Sequence, residues 1–534
     1  MADLDIDDVF DTLGFGRMQL IIFFGCAIQQ FYVTNEQFGI SLITVAARCE
    51  LNIGDHHLSW LMTAGLIAQV CTSHYMGFKS DEIGRRKLLV ITSTLTIVTS
   101  FISSLMPEFW SFLVMRFIVG CFLTGPGMAL LTYMGEFTKI KLRPMVLNFL
   151  CYSIGISMMY VPASAMLILP QDINLKISGD YAISGWRVLS MTNLLPGIIS
   201  LLMLLPMPES PKYYLSVQKT QEALDALEMC CRYNKGKNVT LKSLGIDSVT
   251  QSNLRRDSLV PHKNFFRRIW HDTKPLLQGS NARYMLIVIG IMFFMFATGA
   301  VLTVWMPRVL KMTNEIEESM ILCDVLKAYA AQNASTAVSK CHLVTANLLA
   351  SFYHGSACLV GFMLISVLLI CLNRKTILLG FSVLSTLSGF MLNFVMRDEL
   401  VIAAFVLLVV PPLCSLRLTL SVIIDVVATH LRSKAVALSM MCGRFGVLVG
   451  SLFVGYTLKC CCFVTFNVYV AGMSSKWPMH MVRMLDIVRL PFMQLPFCSS
   501  FFYRRRKLAT TKSPRLCLFG LYLFGFWFDF VYRF

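Results

Sequence analysis

Long apolar runs recur along most of the chain, separated by short polar connections. A helix needs about 20 mostly apolar residues to cross roughly 30 Å of hydrocarbon, and runs of this kind occur about eleven times before residue 458. Because 56% of the 534 residues are hydrophobic and only 14% are charged, the chain cannot cover so much apolar surface in water. The sequence therefore predicts an all-α polytopic membrane protein.

The order of apolar runs and polar stretches predicts four regions. Residues 1–206 hold an acidic, cytosolic N-terminal segment and six spans, and residues 207–283 form a cytosolic linker with a short amphipathic helix over TQEALDALEMCCRYN. Residues 284–457 hold about five further spans. Residues 458–534 form an atypical segment in which the twelfth helix is either divergent or incomplete. The spans lie near 19–45, 57–76, 88–106, 109–131, 144–168, 187–206, 284–306, 345–371, 376–396, 400–424 and 435–457.

Basic residues in the connections set the orientation, because loops on the cytosolic side collect Lys and Arg. This explains the net charge of +17 better than nucleic-acid binding does, since the basic residues flank the spans. The long loop at 307–344 is then extracellular or lumenal. We expect Asn333 of the sequon NAS to be glycosylated there and Cys323 to pair with Cys341 in that oxidising compartment.

The sequence contains no pattern typical of a metal site or an enzyme. It has no CxxC pair, no HExxH, no phosphate loop and no nucleophile beside a base. We expect no metal, no cofactor and no enzymatic activity.

The segment GFKSDEIGRRK (77–87) places acids, arginines and glycines in the loop between the second and third spans. An ordinary cytosolic loop needs basic residues but neither an acid nor glycines at fixed positions. The pattern resembles the signature of the major facilitator superfamily, which implies two six-helix halves. In that family this loop takes part in a charge cluster that holds the outward-open state. The resemblance implies a cytosolic gating motif of Gly77, Asp81, Gly84, Arg85, Arg86, Glu136, Arg143 and Arg444.

Further segments resemble a narrower group. PESPK (208–212) is similar to a sequence of the sugar and organic-ion porter branch. LGFGRMQ (13–19), NEQFGISLITVAARCELN (35–52) and THLRSKAVALSMMCGRFG (429–446) resemble the synaptic vesicle glycoprotein 2 group, and within it the insect-type relatives. The resemblance implies a transporter in the plasma membrane or an intracellular vesicle membrane, without indicating the substrate.

Ionisable and polar side chains inside the spans are candidates for binding a solute or a proton, because a charge in hydrocarbon costs several kcal/mol. Glu36 is the first of these, with a buried polar group that only fixes helix packing as the alternative. Arg116 and Arg417 could line the cavity or make structural hydrogen bonds. The candidate binding residues are Tyr32, Asn35, Glu36, Arg116, Trp305 and Arg417.

Two functions fit these patterns. The first is a secondary transporter that moves a small organic solute by alternating access, with protons as a coupling ion. The second is a membrane protein of transporter shape that does not transport, such as a receptor, a vesicle component, a regulator or an inactive isoform. The second is favoured by the altered second half, where Asn373-Arg374-Lys375 lacks the acid and glycines of the first-half motif.

Glycosylation tests the orientation. Asn333→Gln should remove a glycosidase-sensitive shift in electrophoretic mobility when the protein is expressed in animal cells, because this sequon faces the lumen during synthesis. The second sequon, at Asn238, lies in the cytosolic linker and serves as the matched control, so Asn238→Gln should leave the mobility unchanged. Loss of the shift in the Asn238 variant would reverse the predicted orientation.

Overall fold

The computed structural model describes residues 4–48, 50–51, 53, 55–139, 142–171, 173–178, 181–236, 238–250, 274–314, 321–326, 328, 345–396, 398–426, 432–458 and 461–474. All of them belong to one compact unit, Met1–Ile487. They are almost entirely helical, which fits the requirement that backbone groups inside a membrane be satisfied within each segment.

The first half begins with a short amphipathic helix that lies across the first span. The chain turns by 104° between Ile6–Leu13 and Arg17–Ala47. The helices are α1 (Ile6–Leu13), α2 (Arg17–Phe38), α3 (Ile40–Ala47), α4 (Asp55–Ile83), α5 (Arg85–Ser104), α6 (Phe109–Glu136), α7 (Arg143–Leu150), α8 (Tyr152–Ile168), α9 (Gly185–Thr192) and α10 (Leu195–Leu204). A hairpin of β2 (Asn174–Ser178) and β3 (Tyr181–Ser184) precedes α9, with Asn174 opposite Ser184.

The linker and the second half continue the pattern. The helices are α11 (Pro211–Ser216), α12 (Thr220–Lys235), α13 (Gly279–Asn314), α14 (Thr345–Cys371), α15 (Arg374–Met391), α16 (Asp398–Val426), α17 (Arg432–Thr457) and α18 (Cys462–Ser474). In the part of the chain that the structure describes, single 3₁₀ turns lie at Leu169–Gln171, Lys242–Leu244 and Lys274–Leu277. Within the described residues, eight helices are long and apolar enough to cross a membrane, or nine if the bent first pair counts as one span.

The helix α5 shows how the spans distribute polarity. Ile91, Val98 and Phe101 are among its exposed side chains, whereas small polar side chains such as Thr96 and Ser100 are fully buried. The hydroxyls of Thr92 and Thr96 donate to carbonyls one turn back, so they need no water. A span with apolar side chains on its outer surface and small polar side chains inside the protein is expected where lipid is the solvent.

Glycines set how closely the helices approach. A Cβ on Gly120 of α6 would collide with the backbone of Gly65 in α4. Between the two halves, a Cβ on Gly355 of α14 would lie 2.5 Å from the Met158 carbonyl carbon of α8. These contacts hold the backbones together in the way that small residues allow within membranes.

A small cap, on the side of the membrane that the sequence predicts to be cytosolic, joins the N-terminus to the linker. The strand β1 (Leu4–Asp5) pairs in parallel with β4 (Val249–Thr250), and buried side chains of α1, such as Phe10 and Leu13, share a core with Leu227 of α12. Lys212 pairs with Asp7 of α1. The cap therefore packs against one end of the first half.

The final described helix, α18, occupies the region where the sequence is atypical. Its 13 residues rise about 20 Å, which is less than the hydrocarbon thickness. Ser382 of α15 donates to the Met473 carbonyl at 3.0 Å, and Tyr469 donates to the Gly450 carbonyl of α17 at 2.9 Å. The described part of this region thus packs as a helix against the second half.

The predicted Cys323–Cys341 disulfide is wrong, because Cys323 is bonded to Cys462. Buried Leu322 and Leu326 hold the segment 321–326 against the helical core, and this brings Cys323 to the first residue of α18 with a Cα–Cα distance of 5.5 Å. Closeness in sequence favoured Cys341, which lies outside the described residues, whereas packing of the two leucines decides the partner.

Mass spectrometry of a non-reduced digest tests this pairing. We expect one linked peptide pair that contains Cys323 and Cys462 and disappears on reduction. Cys462→Ser should abolish it, whereas Cys341→Ser should leave it intact. A linked pair that contains Cys323 and Cys341 would contradict the structure.

Candidate functional site

A buried ion pair lies in the middle of the first half. Arg116 Nη1 of α6 donates to Glu36 Oε2 of α2 at 2.9 Å, and both side chains are at most 5% exposed. Ser100 Oγ of α5 donates to Glu36 Oε1 at 2.8 Å, and Arg116 Nη2 lies 3.4 Å from Ser190 Oγ of α9. One carboxylate and one guanidinium thus connect four helices.

The pair borders a small cavity. The lining includes Glu36 and Arg116, the amide side chains of Gln37 and Gln69, and apolar side chains of α4 and α6. Its volume is about 30 Å³, enough for one or two water molecules. Because the lining combines one acid, one base and amides, it can hold a proton or hydrogen-bond a polar solute.

Of the other predicted binding residues, two lie in the first half near the ion pair and two belong to helices of the second half. Asn35 Oδ1 accepts from Ser157 of α8 at 2.6 Å, and the Tyr32 ring packs on Gly197 of α10. Trp305 of α13 is buried in the second half, where its indole donates to Ser451 Oγ at 3.1 Å. Arg417 belongs to α16, but its side chain lies outside the described residues. The structure therefore brings Tyr32, Asn35, Glu36 and Arg116 into one neighbourhood.

The predicted gating motif forms a charge cluster at the end of the first half that the sequence predicts to face the cytosol. Arg85 Nε donates to Glu136 Oε1 at 3.0 Å, and Nη2 donates to Asp81 Oδ1 at 2.7 Å. The guanidinium also lies 5.3 Å from the centre of the Tyr213 ring. These partners belong to α4, α6 and α11, so Arg85 ties three cytosolic helix ends to one point.

Gly84 and Glu209 complete this cluster. Gly84 has φ of +104°, a conformation that favours glycine, and a Cβ there would collide with the Glu209 carboxylate. That carboxylate accepts from the backbone N–H of Arg86 at 2.8 Å and of Lys87 at 3.0 Å. It therefore caps the N-terminus of α5, where negative charge is favourable.

The remaining motif residues lie around this core. The Arg86 guanidinium donates to the Leu204 carbonyl at 3.4 Å, and the Arg143 side chain packs against Gly135. Gly77 faces Ala437 of α17, and Arg444 Nη1 donates to Ser73 Oγ of α4 at 2.5 Å. Gly77 and Arg444 thus lie on the contact between the halves, while the other motif residues lie within the first half.

A second cluster lies at the opposite end of the first half. Glu50 accepts from Arg187 Nη2 at 2.7 Å and from Trp186 Nε1 at 2.6 Å, and it also contacts Ser184. Burial alone would raise the pKa of Glu50, but these hydrogen bonds outweigh burial and hold that pKa below its ordinary value. Its stabilising effect is therefore present above the ordinary glutamate pKa and is lost as the pH falls through the lowered one.

Sequence reasoning missed two of these acids as site residues. Glu209 was visible only as part of PESPK, and its role as a helix cap depends on the chain folding back by more than a hundred residues. Glu50 and Arg187 lie at predicted span ends, where acids and bases are ordinary. Neither Glu209 nor the Glu50–Arg187 pair follows a sequence periodicity that would mark it as a site. These residues are therefore recognised only in the folded structure.

The helices, the lipid-facing apolar surface and the buried ion pair define a multi-pass membrane protein of transporter architecture. Residues 19–329, more than half of the chain, match the Major Facilitator Superfamily. The chain belongs to this family, whose members are transporters. Within the described residues, no group of His, Cys, Asp and Glu could hold a metal ion.

Two curated relatives from Mus musculus are similar to the chain. Putative transporter SVOPL is 26% identical over 230 residues, covering 43% of this chain and 44% of the relative. Synaptic vesicle glycoprotein 2C is 24% identical over 336 residues, covering 60% of this chain and 46% of the relative. The matches thus span less than half of the length of these relatives.

Solved structures show the same fold. The xylose transporter XylE from E. coli, in a partially occluded inward open conformation, superposes with a TM-score of 0.57 at 16% identity, covering 88% of this chain and 99% of XylE. The proton:xylose symporter XylE bound to 6-bromo-6-deoxy-D-glucose gives a TM-score of 0.53 at 16% identity, covering 88% and 94%. At this identity the likeness concerns the fold alone.

Gly84→Ala tests the cytosolic cluster. We expect a loss of about 1–3 kcal/mol in stability, because the new Cβ meets the Glu209 carboxylate at a strained backbone position. Gly380→Ala in α15 is the matched control, since a Cβ there meets nothing within 4 Å. The melting temperature of the purified protein should fall in the first variant and hold in the second. Equal melting temperatures would rule out the proposed packing.

Proposed function

We propose that the protein is a secondary transporter that moves a small organic solute by alternating access, with Glu36 as the group that takes up a proton. The buried Glu36–Arg116 pair beside a small cavity that two amide side chains help to line is the observation that carries the proposal. A charged carboxylate inside a membrane protein is costly unless an opposite charge lies beside it. Arg116 supplies that charge, so the protonation state of Glu36 affects the packing around the pair.

Protonation of Glu36 changes what Arg116 can bind. The carboxylate accepts from Arg116 and from Ser100, so both contacts fit the ionised form. Once Glu36 is neutral, the electrostatic attraction to Arg116 is lost and the guanidinium becomes available to a polar group of the solute. One proton and one solute molecule therefore bind at the same junction of four helices, either in competition or together.

The small cavity supports alternating access. About 30 Å³ accommodates water but not an organic solute. A solute can therefore enter only when helices move apart, and the glycine contacts between the halves provide surfaces for such a movement. In the superfamily fold, rocking of the two halves around a central site opens it to one side at a time.

The cytosolic cluster has a supporting role in this scheme. Asp81, Arg85 and Glu136 join helix ends of the first half, while Gly77 on the same helix as Asp81 faces α17 of the second half. A stiff α4 can then move against α17 as one body. We propose that the motif makes the cytosolic gate rigid, and that Arg444 with Ser73 marks its inner edge.

Reconstitution tests the proposal. Proteoliposomes that contain the protein are screened with a library of sugars, organic cations and organic anions, with and without an inward proton gradient. For any solute that accumulates, Glu36→Gln should abolish the effect of the gradient and retain exchange of labelled for unlabelled solute, because the uncharged amide cannot cycle a proton.

The matched control is Glu222→Gln in the exposed part of α12, which should transport as the wild type does. A Glu36→Gln protein with an unchanged response to the gradient would remove Glu36 from the coupling mechanism. A protein that is folded but accumulates nothing from the library favours the non-transporting alternative.

A further inference from the structure

A row of buried polar atoms without protein partners runs between the first and sixth spans. Gln29 Nε2, Tyr32 OH and Asn35 Nδ2 of α2 are buried and make no hydrogen bond to any residue that the structure describes, and the same is true of both amide atoms of Asn193, which follows α9. The four residues are at most 2% exposed. Buried polar groups in folded proteins nearly always have partners, so such a concentration needs an explanation.

Gln29 and Tyr32 lie on the face of α2 that meets the sixth span, whereas the Asn35 amide lies beside them and accepts from Ser157 of α8. Positions 29, 32, 36 and 39 follow the three- and four-residue spacing of a helix face, and positions 193, 197 and 200 do the same on the sixth span. Ser200 Oγ donates to Gln29 Oε1 at 2.8 Å, the Tyr32 ring packs on Gly197, and Asn193 approaches Gly39. The two helices therefore meet in antiparallel register along a polar seam.

The seam ends at the ion pair. Ser190, one turn before Asn193, is the residue that contacts Arg116 Nη2. Arg116 Nε is a further buried atom without a hydrogen bond. The charged or titratable groups that face Glu36 are Arg116 from α6 and Tyr32 from its own helix, while α5 contributes the Ser100 hydroxyl.

Water is the ligand that suits these atoms. They include amide donors, an amide acceptor and a phenol that can do either, and all belong to the first half. Each orphaned group costs about 1–3 kcal/mol when left unsatisfied, and a water with two to four polar partners removes that cost.

We infer that the seam between α2 and the sixth span binds a chain of water molecules. This chain delivers protons to Glu36 along a path within the first half that does not pass through the solute cavity. The delivery role depends on the proposed function, whereas water binding does not. Hydrogen-bonded water and hydroxyl groups can pass a proton along without movement of the two halves. The proton and the solute would then reach the ion pair by different routes.

Hydroxyl-radical footprinting by synchrotron X-rays tests the water site, because radicals form from bound water and label the adjacent side chains. The matched control is Tyr133, which is as fully buried as Tyr32 but donates to the Pro208 carbonyl at 2.5 Å. In the purified protein, Tyr32 should be labelled several-fold faster than Tyr133. Equal rates would overturn the water site.

Time-resolved infrared spectroscopy after a pH jump tests the route. The carboxylic-acid band of Glu36 is identified by its absence from Glu36→Gln, and its rate of appearance should be several-fold slower in Tyr32→Phe and Asn193→Leu. Ser385→Ala, a buried hydroxyl deletion in the second half, should leave the rate unchanged. Tyr32→Phe removes a single oxygen, so it keeps the test valid if Asn193→Leu misfolds.

The outcomes separate the two proposals. Rapid labelling of Tyr32 with unchanged protonation rates would overturn the route while leaving Glu36 as the proton site. Rapid labelling with no Glu36 band in the wild type would overturn the proton role of Glu36, and the delivery route with it, and would still support the water site. Rapid labelling with slowed protonation in both variants supports the inference as a whole.

Discussion

The ion pair between Glu36 and Arg116 is the interaction on which the arrangement of the first half depends. Its carboxylate and guanidinium reach α2, α5, α6 and α9, so one contact fixes the relative positions of four spans. Removal of one partner from such a pair costs about 3–5 kcal/mol, because the other charge remains buried. A bundle built around a titratable contact of this kind couples its packing to the protonation of one carboxyl group.

Much of this fold could be predicted from the sequence, because a helix that crosses lipid must be long and mostly apolar. Long apolar runs specify membrane helices, and the apolar spacing of TQEALDALEMCCRYN predicted the linker helix α12. The signature GFKSDEIGRRK predicted the family. These features depend on local composition or on a short motif, and both can be read without knowledge of tertiary contacts.

The contacts that complete the sites are different in kind. Glu209, which follows the last span of the first half in the sequence, caps α5. Cys323 forms a disulfide with Cys462, which lies 139 residues later in the sequence. Each pairing depends on how several helices pack, which neither spacing nor residue type specifies. The polar seam is a similar case, since Gln29 and Asn193 look like ordinary polar residues until their helices are placed side by side.

The distribution of strong contacts indicates where movement can occur. Charge clusters fasten the first half at both ends, around Arg85 at one end and around Arg187 at the other. Between the halves, Gly355 packs against the Met158 backbone and Gly77 faces Ala437, and hydrogen bonds such as that from Arg444 to Ser73 also cross this contact. Close backbone packing without charge has little directional preference, so one helix can slide past another at small cost. Helices tied at both ends move as a body, so movement occurs more easily at the contact between the halves than within the first half, where the buried ion pair lies.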